Sequence, residues 1–225
     1  MYKHAKPENL EAYKQKLKVT TDQDSSKVGL WDATTHPDYR RATWVNFGYI
    51  IFHELTGINV IMQYSNQIFS EMQNDGASIT PEQGTFLIGV MQFCSMAIAT
   101  FYTIGRYGRK TLLFWGHLLI AVAHCSVALF NNIGSSAGTL SMVLFFILSY
   151  NNSSGPIAWI YAAETTLDAG LSLCLFTLYF TVYLLSLICP IMMSTDYLGP
   201  SPVFFIFAGL SVLGSAFVAV FMKET

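Results

Sequence analysis

Hydrophobic residues fall in long uninterrupted runs along this chain, and short polar turns separate the runs. Five runs of at least 20 residues contain no Asp, Glu, Lys or Arg, and a sixth contains one acid, Glu54. A helix needs about 20 mostly apolar residues to cross the roughly 30 Å hydrocarbon core of a bilayer. The pattern therefore predicts six membrane-spanning helices, at about residues 42–69, 84–104, 111–130, 138–163, 169–195 and 199–222.

Composition narrows the class of protein. Hydrophobic residues make up 52% of the 225-residue chain and charged residues only 12%, against about 25% charged residues in soluble domains. Residues 42–222 carry ten charged side chains, and residues 111–163 carry none. A soluble globule of this composition would expose one large apolar patch, which excludes a soluble enzyme, a nucleic-acid binder and a disordered tail. We therefore expect an all-α membrane protein with a polar N-terminal segment at 1–41 and a six-helix transmembrane bundle at 42–225.

The distribution of basic residues predicts the orientation of this bundle. Six helices place both termini on one side of the membrane, together with the loops at 105–110 and 164–170. All 12 Lys and Arg residues then fall on that side, and none falls in the loops on the other side. Because basic residues are enriched in inner loops, we expect both termini on the inner side, of either a plasma membrane or an organellar inner membrane.

The remaining local features predict no further chemistry. The stretch Glu8–Lys18 is polar and basic, and it is either a short helix on the inner membrane surface or a solvated linker. The four cysteines lie inside predicted spans, where we expect them to pack as small hydrophobes. His117 and His124 share one helix face, but no further ligands accompany them, so we expect no metal site and no cofactor.

Three motifs occur in order along the predicted bundle. Residues 53–65 read HELTGINVIMQYS, residues 105–110 read GRYGRK, and residues 155–164 read GPIAWIYAAE. In order and spacing, they resemble the motifs of helix seven, the loop after helix eight, and helix ten in sugar porters of the major facilitator superfamily. The resemblance covers almost the whole chain from about Pro37 onward.

The resemblance is to one half of a sugar porter. Members of that family have twelve helices in two six-helix halves, and the substrate site lies between the halves. Because only helices seven to twelve match, we expect either a half-length protein or a fragment of a longer one. The resemblance implies a hexose-type substrate, a lipid bilayer, and a partner, which would be another six-helix half or other membrane subunits. It implies neither an enzyme nor a nucleic-acid partner.

The resemblance also implies roles for individual residues. Gly57, Gly155 and Pro156 would act as hinges that free backbone groups toward a cavity, although they would equally fit simple kinks in packed helices. We expect Glu164 to lie beside Arg106 or Arg109. The implied sugar-binding residues are His53, Glu54, Asn59, Gln63, Tyr64 and Trp159, and the implied inner charge cluster that gates the pathway is Arg106, Arg109, Lys110 and Glu164.

Several positions depart from the family pattern. His53 and Glu54 stand where sugar porters have two glutamines, and an ionised glutamate only accepts hydrogen bonds whereas a glutamine also donates. Gly105 replaces the acid that opens the loop motif, and two amides of helix eleven are missing near Leu178–Val182. The glycines, the proline and the loop arginines of the family motifs are thus present, while several residues that would contact the sugar are replaced. This raises a second hypothesis, in which the chain is a degenerate, non-transporting structural subunit of a larger membrane complex.

Glu54 distinguishes the two hypotheses. It is the acid nearest the middle of any predicted span, and such acids usually face a bundle interior or water. We expect Glu54 to point into the cavity. His53 is not an obvious partner for Glu54, because its side chain leaves the helix about 100° further around. Glu54 is then either a proton site, as transport would use, or a fixed polar contact, as the structural role requires.

Overall fold

The computed structural model describes residues 29–74, 80–194 and 196–224, without the side chains of residues 64, 66–68, 71, 72 and 74. The predicted basic stretch Glu8–Lys18 lies outside the described residues. The described part is helical throughout, with short connections. Its helices are α1 (Leu30–Thr35), α2 (Pro37–Glu54), α3 (Ile58–Asn74), α4 (Pro81–Ile98), α5 (Arg109–Ile133), α6 (Ser136–Asn151), α7 (Ser154–Thr165), α8 (Asp168–Met193) and α9 (Pro200–Phe221), and a π-helix, Ala99–Thr103, continues α4.

Four of the described helices are long and apolar enough to cross a membrane: α4 with its π-helical end, α5, α8 and α9. Each corresponds to one of the six spans predicted from the sequence. The other two predicted spans, 42–69 and 138–163, are not continuous helices. Each is divided into two shorter helices, α2 with α3 and α6 with α7.

Several helices begin with strong local signals. Pro37, Pro81 and Pro200 are the first residues of α2, α4 and α9. Proline suits this position because its missing N–H would have no helical partner there. At the start of α4, the side chains of Thr80 and Gln83 each accept a hydrogen bond from the backbone N–H of the other residue. These signals fix where the chain enters each helix.

The first break separates α2 from α3 at residues 55–57. Gly57 has φ +79°, a left-handed conformation that glycine adopts at little cost. The carbonyl of Thr56 lies outside both helical ladders, and the imidazole Nε2 of His124 on α5 donates a hydrogen bond to it over 2.8 Å. A backbone group freed at membrane depth must find such a partner within the protein.

The second break separates α6 from α7 at Asn152 and Ser153. Pro156 is the third residue of α7, so it has no N–H to bond the Asn152 carbonyl four residues earlier, and its ring would clash with that carbonyl in a continuous helix. The break therefore lies ahead of the predicted hinge at Gly155 and Pro156, which form part of the first turn of α7.

Side chains at the second break connect it to α4. The Asn151 amide donates to Ser95 Oγ over 2.8 Å, and Thr103 Oγ1 in the π-helix donates to the Asn152 side chain over 2.9 Å. In the packing of the bundle, α5 is central and contacts α9 and α6 most extensively. The second break is thus tied to α4 by side-chain hydrogen bonds.

Replacing Gly57 with alanine should destabilise the protein more than replacing Gly134, which also has a positive φ, +73°. Each change places an alanine in a left-handed backbone conformation, which costs about 1–3 kcal/mol of stability. At Gly57 the new Cβ would also lie 3.2 Å from the Phe207 ring, whereas at Gly134 it would meet nothing within 4 Å. Thermal unfolding in one detergent should rank the variants in that order, and equal melting temperatures would contradict the packing at the break.

Candidate functional site

Polar side chains from α2 meet side chains from both sides of the second break. The Tyr49 hydroxyl and His53 Nδ1 lie 2.9 and 3.0 Å from Ser154 Oγ, and His53 Nε2 lies 3.1 Å from the Tyr150 hydroxyl. Each of these four side chains is at most 9% exposed. The hydrogen bonds therefore hold α2 against the end of α6 and the start of α7, and they satisfy polar groups that would be costly to bury alone.

Glu54 continues this network across the first break. The Asn59 amide donates to Glu54 Oε2 over 2.5 Å, and Glu54 Oε1 lies 3.6 Å from His53 Nε2. The hydrogen-bond partner of Glu54 is thus Asn59, whereas His53 Nε2 is too far from Glu54 for a hydrogen bond and lies 3.1 Å from the Tyr150 hydroxyl. The sequence predicted that Glu54 points into a cavity. Its side chain is instead 2% exposed and is therefore buried within this chain.

The predicted sugar-binding residues differ in how far a ligand could reach them. His53 is as buried as Glu54, while Asn59 and Trp159 are half-buried and Gln63 is exposed. The Trp159 indole and the His53 ring form an edge-to-face pair with a centroid distance of 6.5 Å. Tyr64 lies on α3, but its side chain is outside the described residues. Of these residues, Gln63, Asn59 and Trp159 are thus more accessible than His53 and Glu54.

Sequence reasoning missed three members of the network: Tyr49, Tyr150 and Ser154. Tyr49 lies four residues before His53, so the two share a helix face, and that spacing was available as a signal. Ser154 immediately precedes the Gly155–Pro156 motif. Tyr150 has no comparable signal, because its position depends on where α6 ends.

The inner charge cluster is partly assembled as predicted. The predicted contact of Glu164 is present, since a guanidinium nitrogen of Arg109 lies 3.1 Å from Glu164 Oε1. Lys110 Nζ donates to the Ala219 carbonyl over 2.8 Å. The Arg106 guanidinium instead lies over the Tyr102 ring, 3.8 Å from its centroid.

An acid that the sequence did not single out joins this cluster. Glu224 accepts a hydrogen bond from the Lys110 backbone N–H over 3.1 Å, at the first turn of α5. A carboxylate is favourable there because helix N-termini carry unpaired N–H groups and a partial positive charge. With the Arg109–Glu164 pair, this contact gathers the start of α5, the end of α7 and the residues after α9 at one end of the molecule.

The two histidines of α5 have separate roles. His117 Nδ1 bonds the carbonyl of Leu113 in its own helix, whereas His124 reaches the first break. Within the described ranges, no three His, Cys, Asp or Glu side chains are grouped so that they could hold a metal ion.

Comparison with known proteins identifies the family. The profile of the family described as "Sugar (and other) transporter" matches residues 3–225 of this chain. The chain belongs to this sugar transporter family. The resemblance seen in the three motifs is thereby confirmed.

The relatives are longer than this chain. YncC of Bacillus subtilis, named as a metabolite transport protein, is 30% identical over 219 residues, which cover 92% of this chain and 45% of YncC. Hexose transporter 1 of Plasmodium vivax is 28% identical over 236 residues, which cover 97% of this chain and 44% of the transporter. The chain thus spans about half the length of the curated relatives it matches.

A solved structure shows the fold. XylE of E. coli, a proton:xylose symporter whose structure holds 6-bromo-6-deoxy-D-glucose, matches with a TM-score of 0.73 over 96% of this chain and 46% of XylE. The sequence identity is 20%, so this likeness concerns the fold alone. The chain is therefore a sugar-transporter-like integral membrane protein, and its described residues have the helical fold seen in XylE.

Replacing Ser154 with alanine should cost more stability than replacing Ser211, although both side chains are fully buried. Ser154→Ala leaves the Tyr49 hydroxyl and His53 Nδ1 without the hydrogen-bond partner they share. This loss should cost about 1–3 kcal/mol of stability. Ser211 Oγ bonds only the Phe207 carbonyl of its own helix in the described structure, so Ser211→Ala should cost under about 1 kcal/mol. Matched thermal or denaturant unfolding would test this, and a smaller effect at Ser154 would contradict the network.

The Arg109–Glu164 ion pair should contribute little to stability. The two side chains are 25% and 37% exposed, and solvent screens such pairs to about 0–1 kcal/mol. A double-mutant cycle with Arg109→Gln and Glu164→Gln should give a coupling energy in that range, which falls as salt is raised. A coupling energy well above this range that does not change with salt concentration would instead show that the pair is shielded from water.

Proposed function

We propose that this chain forms one wall of a sugar pathway and works against another six-helix half. The observation that carries the proposal is the broken α2–α3 helix, which brings His53, Glu54 and Asn59 together beside Trp159. Transporter substrate sites are typically built from discontinuous helices near the bilayer midplane. Membership of the sugar transporter family, with one relative named as a hexose transporter, supports a hexose-type sugar as the substrate class.

In this proposal the chain crosses the membrane six times. The pairs α2–α3 and α6–α7 each act as one broken span, alongside α4, α5, α8 and α9. The contacts of Arg109 with Glu164 and of Lys110 with Glu224 support the arrangement, because they bring together three segments that six spans assign to the same side. All 12 basic residues fall in segments of that side. We infer that this side, with both termini, is the inner one.

The surface chemistry supports a partner half. Gln63 on α3 is exposed and accepts a hydrogen bond from Ser186 on α8 over 3.0 Å. Polar groups of this kind are costly against lipid. The face formed by α3 and α8 would therefore contact the other half, while the exposed Phe86 and Phe93 of α4 would face lipid.

In this arrangement Trp159 and Asn59 would contact the sugar most directly. An indole can cover the apolar face of a sugar ring, and an amide both donates and accepts hydrogen bonds. Glu54 would hold Asn59 through their hydrogen bond, and His53 would lie beside Trp159. Arg106, Arg109, Lys110 and Glu164 would gate the inner end, and Gly57 would permit the hinge.

The second candidate is a non-transporting structural subunit. It is favoured by the burial of His53 and Glu54, each 2% exposed, and by the hydrogen bond that Glu54 accepts from the Asn59 amide. These are the features of a fixed polar contact. If the chain has this structural role, extraction in mild detergent should yield it within a defined large assembly. If it is part of a transporter, extraction should yield a particle of twelve helices.

Hexose uptake by the protein reconstituted in vesicles tests the two candidates. Transport predicts saturable uptake that Glu54→Gln reduces about tenfold or more, because the buried Asn59 contact is weakened. If Glu54 also carries a proton, the wild-type rate depends on pH and the variant's rate does not. Glu82→Gln is the matched control, since Glu82 is exposed at the start of α4. Absence of uptake, with Glu54→Gln only loosening an assembly, would establish the structural role instead.

A further inference from the structure

The first break is held by a residue that none of the sequence motifs contains. We propose that His124 is the positioning residue that fixes the break between α2 and α3, and thereby sets Asn59 beside Glu54. The importance of this placement for sugar binding rests on the proposed function, whereas the contact itself does not.

The hydrogen bond at the break has a defined direction. Thr56 is fully buried, and its carbonyl can only accept, so the proton must be on Nε2 of His124, 2.8 Å away. The Nδ1 atom of a neutral imidazole is then bare. This agrees with His124 Nδ1, which is buried and has no hydrogen-bond partner among the described residues.

Aromatic rings hold the imidazole in this orientation. The His124 ring lies 4.7 Å from the Phe146 ring and 5.8 Å from the rings of Phe204 and Phe207, measured between centroids. Phe207 also packs against Gly57, where an added Cβ would come within 3.2 Å of the ring. Helices α5, α6 and α9 therefore converge on the break and leave the imidazole little freedom to turn.

Fixing Thr56 fixes the geometry on both sides of the break. The Thr56 hydroxyl donates to the His53 carbonyl over 2.6 Å, and the Gly57 N–H donates to the Glu54 carbonyl over 3.1 Å. Thr56 is thus bonded to the end of α2 as well as to α5. Because Asn59 follows three residues later, the position of Thr56 determines where α3 starts and whether Asn59 reaches Glu54.

The chain provides a matched control on the same helix face. His117 lies seven residues before His124 and is equally buried, but its Nδ1 bonds the Leu113 carbonyl of its own helix. That carbonyl keeps the backbone partner that a continuous helix provides when the imidazole is removed. The Thr56 carbonyl has no such second partner in a helical ladder.

Two measurements on the protein in lipid nanodiscs test the proposal without any sugar. Nitrogen-15 NMR should show His124 as the Nε2–H tautomer and His117 as the Nδ1–H tautomer. Hydrogen exchange at residues 55–61 should be about five- to a hundredfold faster in His124→Leu, as expected when a buried carbonyl loses its donor. His117→Leu should leave this exchange unchanged, and His124→Gln, which restores a donor at the same reach, should reverse most of the effect.

The outcomes separate this proposal from the proposed function. An Nδ1–H tautomer at His124, or equal exchange in His124→Leu and His117→Leu, would overturn the positioning role. If His124→Leu fails to fold, the tautomer and the behaviour of His124→Gln decide the question. A protein that passes these tests but takes up no hexose overturns the proposed function and leaves the positioning role in place.

Discussion

The requirement that every backbone polar group inside a bilayer be hydrogen-bonded governs this structure. A continuous helix satisfies it without help, as α5 and α9 do, and a broken helix does not. At the first break the Thr56 carbonyl is bonded by His124 from another helix. The burial of a polar imidazole at this point follows from the requirement.

The same requirement explains how a binding site and a packed core coexist. Polar side chains cannot be placed freely in a membrane bundle, so the residues near a break form one connected network, from Tyr49 through Ser154 and His53 to Tyr150. Glu54 and Asn59 extend it to the point where α3 starts. A rearrangement of the break would therefore move the candidate sugar contacts together, which suits a chain of the sugar transporter family.

The elements predictable from the sequence were those set by local signals. Apolar runs predicted the four continuous helices because length and hydropathy alone decide whether a helix can span a bilayer. The motifs predicted the family and the contact of Glu164, and the second break lies just ahead of the predicted hinge at Gly155 and Pro156. The role of His124 was beyond the sequence, because Thr56 and His124 are 68 positions apart and meet only through packing.

The most direct test of the account is the backbone conformation of Gly57 in a lipid bilayer. Thr56-Gly57 is the one Thr-Gly pair in the sequence, so carbonyl-13C threonine combined with 15N glycine labels a single peptide bond for solid-state NMR. The account predicts a positive φ at Gly57, near the +79° of the structure. A negative, helical φ would mean that the span is continuous, and it would contradict the break on which the network and the proposed site depend.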